Sequence, residues 1–255
     1  VTVVLVTGGG RRVGAGLCRF LAAQGYTIAL HYHRSVVEAA EVRAELLAKG
    51  FEVETFAADL DVPSERDGLI PAVVAHFGRI DVLINCASLF KFDSLATLTD
   101  DLWQRHLASN LTAPVFLAKA LAEAGGQVVV NILDQKVGNP NPDFFSYTAG
   151  KMGLAALTQP LAMALAPKVR VAGLSPGLVL PSGDQTEADF QAAAQDTPLG
   201  LTCTIEDLGR AAVFLIETPS ITGQIVTVDG GESLTRRPRD VAFDVVPSPR
   251  SRGEG

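Results

Sequence analysis

Cysteine is scarce: Cys18, Cys86 and Cys203 are three in 255 residues, far apart and without a Cys-x-x-Cys pair. An odd, scattered set excludes a disulfide framework and suits unpaired thiols in a reducing, cytoplasmic compartment. Histidine is nearly as rare, with four in the chain, and only His31-x-His33 has a ligand-like spacing. No third ligand lies near that pair, so no metal site is expected. Positive charge is also short, 21 Lys and Arg against 28 Asp and Glu for a net charge of -7. That balance excludes a general nucleic-acid surface. No apolar run reaches the ~18–20 residues of a membrane helix. The first strand-like residues, Val3-Val4-Leu5-Val6, arrive without the charged stretch or cleavage site of a secretion signal, so none is expected. What remains is 47% hydrophobic and 19% charged, enough apolar material for a sizeable core.

The apolar residues alternate between two patterns. Short β-branched runs at Val1–Val6, Thr27–Tyr32, Phe51–Phe56, Ile80–Asn85, Gly126–Leu133, Val169–Leu174 and Ile225–Val228 read as seven strands. Amphipathic stretches separate most of them: from Leu17 to Gly25, Val36 to Lys49, residues 64–77 with Ser64 as N-cap, 100–124, Tyr147 to about Ala166, and Ile205 to Ile216. Trp103 and His106 in the fourth of these read as packing residues. Strand–helix alternation predicts one α/β domain, a doubly wound parallel seven-stranded sheet flanked by helices, with ligands at the carboxyl ends of the strands. Residues 178–204 break the pattern and read as a lid or binding loop. Residues 235–255, with Arg236, Arg237 and Arg239, three prolines and no periodicity, read as a disordered tail, leaving 1–234 as the folded domain.

Between the first strand and helix lies Thr7-Gly8-Gly9-Gly10-Arg11-Arg12-Val13-Gly14-Ala15-Gly16. Glycines there let backbone N–H groups approach an anion at the helix N-terminus. The second strand runs out through His31-Tyr32-His33-Arg34-Ser35 and lacks the acid that would bind an adenine-ribose 2′-hydroxyl. Arg34, with Arg11, suits a 2′-phosphate instead, which points to NADPH over NADH. Asp134 ends the fifth strand, Tyr147 follows thirteen residues later, and Lys151 lies four beyond it. Tyr and Lys at that spacing share one helix face, and an ammonium beside a phenol is expected to lower its pKa from near ~10. So tuned, the tyrosine exchanges a proton with a substrate near neutral pH. Gly150, Gly153 and Pro160 each weaken the same helix, which suggests selection for close contact.

Joined in order, the Thr7-Gly8 loop, Asp59-Leu60, Asn85-Cys86-Ala87, Asn110, Tyr147-x-x-x-Lys151, Pro176-Gly177 and Asp229-Gly230-Gly231 resemble the short-chain dehydrogenase/reductase superfamily. Arg12 replaces a glycine of its loop pattern, and Asp134 replaces its usual catalytic serine. Both changes, with Ser88-x-Phe90, resemble the pteridine reductase and dihydromonapterin reductase branch. The resemblance implies NADP held by Gly8, Arg11, Arg12, Val13, Gly14, His33, Arg34, Ser35, Asp59, Leu60, Asn85, Ala87, Tyr147, Lys151, Pro176 and Gly177. It implies a pterin bound by Arg12, Ser88, Phe90, Asp134 and Tyr147, and catalysis by Asp134, Tyr147, Lys151 and Asn110, the last bracing the lysine. It also implies a homotetramer or homodimer built through residues 100–124 and the helix of Tyr147. The expected activity is reduction of a dihydropterin, such as dihydromonapterin, dihydrobiopterin or dihydrofolate. A carbonyl reductase of the superfamily, or a dinucleotide sensor without turnover, are the other readings.

Overall fold

In the computed structural model, residues 1–181, 186–240 and 243 are described. The seven strands form one parallel sheet in the order β3-β2-β1-β4-β5-β6-β7. They are β1 (Val3–Val6), β2 (Thr27–Tyr32), β3 (Val53–Ala57), β4 (Val82–Asn85), β5 (Val128–Ile132), β6 (Arg170–Pro176) and β7 (Ile225–Val228). The three central strands β1, β4 and β5 are buried on both faces because helices cover both, whereas the edge strands β3 and β7 keep partly exposed positions. Alternate residues of β1 feed two cores. Val4 and Val6 pack with Leu17 and Leu21 of α1 (Arg12–Ala23) and Leu208 and Leu215 of α8 (Ile205–Glu217). Val3 and Leu5 pack with Leu69 and Ile70 of α3 (Pro63–Phe77) and Leu117 and Leu121 of α5 (Ala113–Glu123). Each fully buried Leu or Ile contributes about 2 kcal/mol as an upper figure. The strand order reverses between β1 and β4, so a crevice opens at the carboxyl ends of those two strands.

Several boundaries differ from the sequence reading for identifiable reasons. Helix α1 begins at Arg12, with Gly14 and Gly16 inside it. A Cβ on Gly14 would meet Gly8 O at 2.1 Å, and one on Gly16 would meet Ile205 at 2.7 Å, so contact outweighs helix propensity at both. Ser64 is not a cap: Val62 holds that position and Pro63 starts α3. The single helix expected over 100–124 is α4 (Asp100–Leu107), a π-helical turn (Ala108–Thr112) and α5. Within 178–204, α7 (Glu187–Gln195) starts from a Thr186/Asp189 capping box. Helix α6 (Phe145–Leu165) continues through Pro160, and its glycines face the π turn, where a Cβ on Gly150 would lie 3.1 Å from Asn110 and one on Gly153 3.1 Å from Leu111.

The expected tail is corrected in part. Residues 235–240 and Phe243 pack back onto the domain: Arg239 pairs with Asp143 at 2.7 Å and Asp240 with Lys136 at 2.6 Å. Phe243 packs on Phe92 and Phe144, at ring distances of 4.9 and 5.9 Å. The arginines and prolines of this stretch lowered its apparent order, but the buried Asp143 and Lys136 hold it. The rest of the stretch read as a tail, and residues 182–185 of the loop, lie outside the described residues.

Candidate active site

A cleft of about 990 Å³ follows the carboxyl ends of the strands. Its long end is built by the glycine loop. The Thr7 hydroxyl accepts from the N–H groups of Cys86 and Ala87, both at 2.9 Å, which draws the turn after β4 against the loop. Gly8 N–H donates to His31 Nδ1 at 3.1 Å, while His31 Nε2 faces the Ala58 carbonyl at 3.0 Å. A backbone carbonyl only accepts, so the proton of His31 is on Nε2. Burial lowers the His31 pKa to about 4, so the ring is neutral and braces the loop. The sequence marked His31 only as half of a weak metal spacing.

Among the described residues, helix α1 has no side-chain cap and no acid in its first turn, so its leading N–H groups meet the cleft uncapped by any side chain. Gly8 takes φ 67°, and a Cβ there would lie 2.9 Å from Ala87 Cα. An uncapped helix start beside backbone stripped of side chains fits a dinucleotide pyrophosphate. Gly8, Arg11, Arg12, Val13 and Gly14 line this end, with His33, Arg34 and Ser35 from the β2 exit and Asp59, Leu60 and Ala87 beside them. Arg11 makes an ion pair with Glu38 at 3.4 Å, and His33 faces Asp59 at 3.4 Å. Arg12 takes φ 49°, the left-handed region that suits the glycine it replaces, at a cost of ~1 kcal/mol. Its Nη2 donates to the Pro181 carbonyl at 2.7 Å, tying the loop after β6 to the glycine loop.

At the other end stand Asp134, Tyr147 and Lys151, all lining the cleft. Tyr147 Oη donates to Asp134 Oδ2 at 2.7 Å. Asp134 Oδ1 accepts from Lys136 N–H at 2.9 Å, so this carboxylate caps its own turn and holds the phenol. Lys151 Nζ donates to the Ile132 carbonyl at 2.7 Å and lies 5.8 Å from the Tyr147 ring centroid. The downward shift expected of the Tyr147 phenol is not found here. Burial, then the Asp134 charge and its hydrogen bond, raise Tyr147 well above its ordinary value. Burial likewise raises Asp134 and lowers Lys151. Each shift disfavours charge, so the site keeps its proton on the tyrosine, with a carboxyl beside it that takes up a proton more readily than a free one.

Phe90, Ser88, Pro176 and Gly177 also line the cleft. Phe90 is 41% exposed, and its ring stacks on Phe144 at 4.2 Å and meets Tyr147 edge-on at 4.7 Å. Asn85 and Asn110 do not line the cleft as the resemblance implied. Asn85 is buried and donates to Asn131 Oδ1 at 2.9 Å. Asn110, in the π turn, accepts from Ser88 Oγ at 2.9 Å and Leu89 N–H at 3.1 Å, and donates to the Leu89 carbonyl at 2.9 Å. Its amide is committed to the loop that carries Ser88 and Phe90, and the brace on Lys151 is the Ile132 carbonyl.

Sequence reasoning missed Glu232, Lys136 and Asp240, which complete the wall. Glu232 accepts from Leu178 N–H at 3.0 Å and Gln135 Nε2 at 3.3 Å. Burial, with smaller contributions from Asp134 and Asp229, raises its pKa from 4.5 to about 7 against the opposing Leu178 N–H and Arg237. The folded state therefore binds this proton more tightly than the unfolded chain. Stability from Glu232 is greatest below pH 4.5 and falls by about 3 kcal/mol as pH rises to 7. Glu232→Gln is expected to raise the denaturation midpoint at pH 8 and to bring no gain at pH 4.5, read from urea titrations at both pH values.

The division of the cleft, anion cradle at one end and proton donor at the other, is that of a dinucleotide-dependent oxidoreductase. The chain belongs to the short-chain dehydrogenase family, whose sequence model matches residues 2–192. It is 32% identical to pteridine reductase 1 of Leishmania tarentolae, over 92% of this chain and 97% of that protein. It is also 32% identical to a 3-oxoacyl-[acyl-carrier-protein] reductase of a Synechocystis species, over 90% of this chain and 96% of that one. A crystal structure of FolM alternative dihydrofolate reductase 1 from Brucella suis, in complex with NADP, superposes with a TM-score of 0.88. That likeness runs at 38% identity, over 92% of this chain and 96% of the other. Among the described residues, no helix is long and apolar enough to cross a membrane and no cluster of His, Cys, Asp or Glu is placed to hold a metal.

Proposed function

We propose that this protein is an NADPH-dependent reductase of dihydropterins, forming tetrahydropterins. The observation that carries the reading is the 2.7 Å bond between Tyr147 and Asp134, where the family pattern has a serine. A serine hydroxyl donates to a carbonyl oxygen, whereas an anionic carboxylate repels the oxyanion that carbonyl reduction develops. A pterin presents ring nitrogens and N–H groups that a carboxylate accepts and a protonated phenol feeds. The similarity to a pteridine reductase and to two Brucella FolM structures complexed with NADP supports the same assignment.

In this mechanism NADPH supplies the hydride to the carbon of the pterin C=N bond. Tyr147 donates its proton to the ring nitrogen, and Asp134, protonated from water, restores it. Lys151, anchored by the Ile132 carbonyl, has two N–H donors left for the cofactor ribose. The exposed ring of Phe90 offers a flat face for the pterin, and Ser88 and Arg12 border it. Arg34 reads the 2′-phosphate. Apolar residues left exposed on α5 and α6, Phe116, Met152, Leu157 and Met163, support self-association through those helices as a dimer or tetramer. The free thiols Cys18, Cys86 and Cys203 support a cytoplasmic setting.

NADPH oxidation is to be followed with a dihydropterin, with a 3-oxoacyl thioester and without substrate. Turnover with the dihydropterin alone is expected; turnover with the thioester alone would place the protein with its carbonyl-reducing relatives. Arg34→Asp tests the cofactor assignment. Loss of a charge-assisted contact is expected to raise KM for NADPH roughly tenfold to a hundredfold while leaving KM for NADH near its starting value. Equal changes for both cofactors would remove Arg34 from the 2′-phosphate.

A further inference from the structure

Three fully buried polar side chains lie behind the cleft without facing it: Asp93, His106 and Ser146. They come from three different elements. Asp93 is in the loop after β4, His106 is on α4, and Ser146 directly precedes Tyr147 in α6. The start of α6 lacks a cap of its own, because Phe144 at the N-cap is left-handed (φ 53°) and makes no side-chain capping bond. Asp93 serves from a distance: its Oδ1 accepts from Ser146 N–H at 3.1 Å, its Oδ2 accepts from the Ser146 hydroxyl, and its carbonyl accepts from Phe145 N–H at 3.3 Å.

His106 closes the arrangement from the other side. Its Nε2 accepts from Lys91 N–H at 3.3 Å and its Nδ1 lies 2.5 Å from Ser146 Oγ. A backbone N–H can only donate, so the histidine proton is on Nδ1 and points at the serine. The serine hydroxyl, receiving there, donates onward to Asp93. The chain of donors therefore runs one way, from Lys91 through His106 and Ser146 to Asp93. It requires a neutral imidazole, and burial lowers the His106 pKa, with Arg105 and Lys91 acting alongside and Asp93 opposing. One end of this chain holds the backbone beside Phe90, and the other holds the helix turn that carries Tyr147.

We propose that Asp93, Ser146 and His106 are positioning residues that set the Tyr147 hydroxyl and the Phe90 ring relative to each other for proton transfer. The inference rests on Tyr147 being the acid of the proposed reaction. Directionality makes it testable with a substitution of equal size. In Asp93→Asn, an NH2 group replaces one carboxylate oxygen and meets either the Ser146 N–H or its hydroxyl. If the hydroxyl turns to donate to His106 instead, the imidazole proton must move to Nε2, against Lys91 N–H. If the hydroxyl instead accepts from both the amide and the imidazole, its own hydrogen is left buried without the Asp93 acceptor it has now, so every arrangement loses a bond or strands a donor.

Asp93→Asn and His106→Phe are to be measured singly and together, with folding checked by circular dichroism. Each is expected to lower kcat about tenfold or more while leaving KM for NADPH within about twofold, because only the proton donor is displaced. The double variant is expected to be no slower than the slower single, as for groups that act as one unit. If Asp93→Asn does not fold, His106→Phe alone carries the kcat and KM comparison. Folded variants with unchanged kcat, or losses that multiply in the double variant, would overturn the proposal. Should the wild type reduce a thioester and not a dihydropterin, the substrate reading fails by itself. The same comparison on the thioester then still decides the network.

Discussion

Tyr147→Phe is expected to lower kcat about 10³-fold while NADPH still binds, measured by stopped-flow reduction and by cofactor fluorescence titration. General acid catalysis typically contributes 10² to 10⁴ in rate, and Tyr147 is the group placed to supply it. The phenyl ring keeps its edge-on contact with Phe90, so the packing of the cleft should survive the change. The variant also removes the donor that Asp134 Oδ2 receives. A buried acceptor left without its partner costs about 1–3 kcal/mol, a cost confined to pH values where Asp134 is charged. Loss of stability at high pH that fades as the pH falls and Asp134 takes up a proton is therefore expected alongside the loss of rate. Retention of more than a tenth of the activity would move the proton donor elsewhere.

Asp134→Ser should change what the enzyme reduces. Turnover of dihydropterin is expected to fall about a hundredfold, since the carboxyl that returns the proton to Tyr147 is gone. Reduction of a 3-oxoacyl thioester should rise, because a hydroxyl donor replaces a charge that repels an oxyanion. The pH profile carries a further sign. Two of the causes that raise the Tyr147 pKa are the charge of Asp134 and its hydrogen bond. Without them only burial and more distant groups remain, so the phenol should titrate lower and the basic limb of kcat against pH should move to lower pH. A limb that stays in place, with dihydropterin turnover intact, would show that Asp134 neither tunes nor supplies Tyr147.

The parallel sheet was legible because strands buried on both faces, such as β1, appear as unbroken apolar runs; the bounds of β2 and of the edge strand β7 are the expected ones residue for residue. The glycine loop, Arg34, Phe90 and the Asp134–Tyr147–Lys151 spacing were legible too, since each belongs to a local pattern that ends at one cleft. What the spacing of Tyr147 and Lys151 hid was the destination of their polar atoms. Helical periodicity places an ammonium near a phenol, but it does not reveal that Ile132 takes the ammonium and Asp134 the hydroxyl. The direct partners of the Asn110 side chain were hidden for the same reason, lying in a loop twenty-odd residues earlier. His106 read as packing because nothing local distinguishes a buried apolar neighbour from a buried hydroxyl forty residues away. Glu232 and Asp240 reach the site only through the register of β6 and β7 and the path of the chain beyond them.

The distribution of the cleft wall along the chain bears on the order in which the protein is made. Its first contributor is Gly8, and Glu232 and Asp240 are among its others. During synthesis the nucleotide end of the cleft takes shape once β1, β2 and β4 have paired. The wall around Lys136 and Leu178 waits for more than a hundred further residues. Until those residues emerge, a nascent chain holds Lys136 without its counter-ion and Leu178 N–H without its acceptor. The emerging chain thus carries the glycine loop and the β2 exit well before Lys151, Pro176 and Gly177, so the two ends of the cofactor cleft are made at different times.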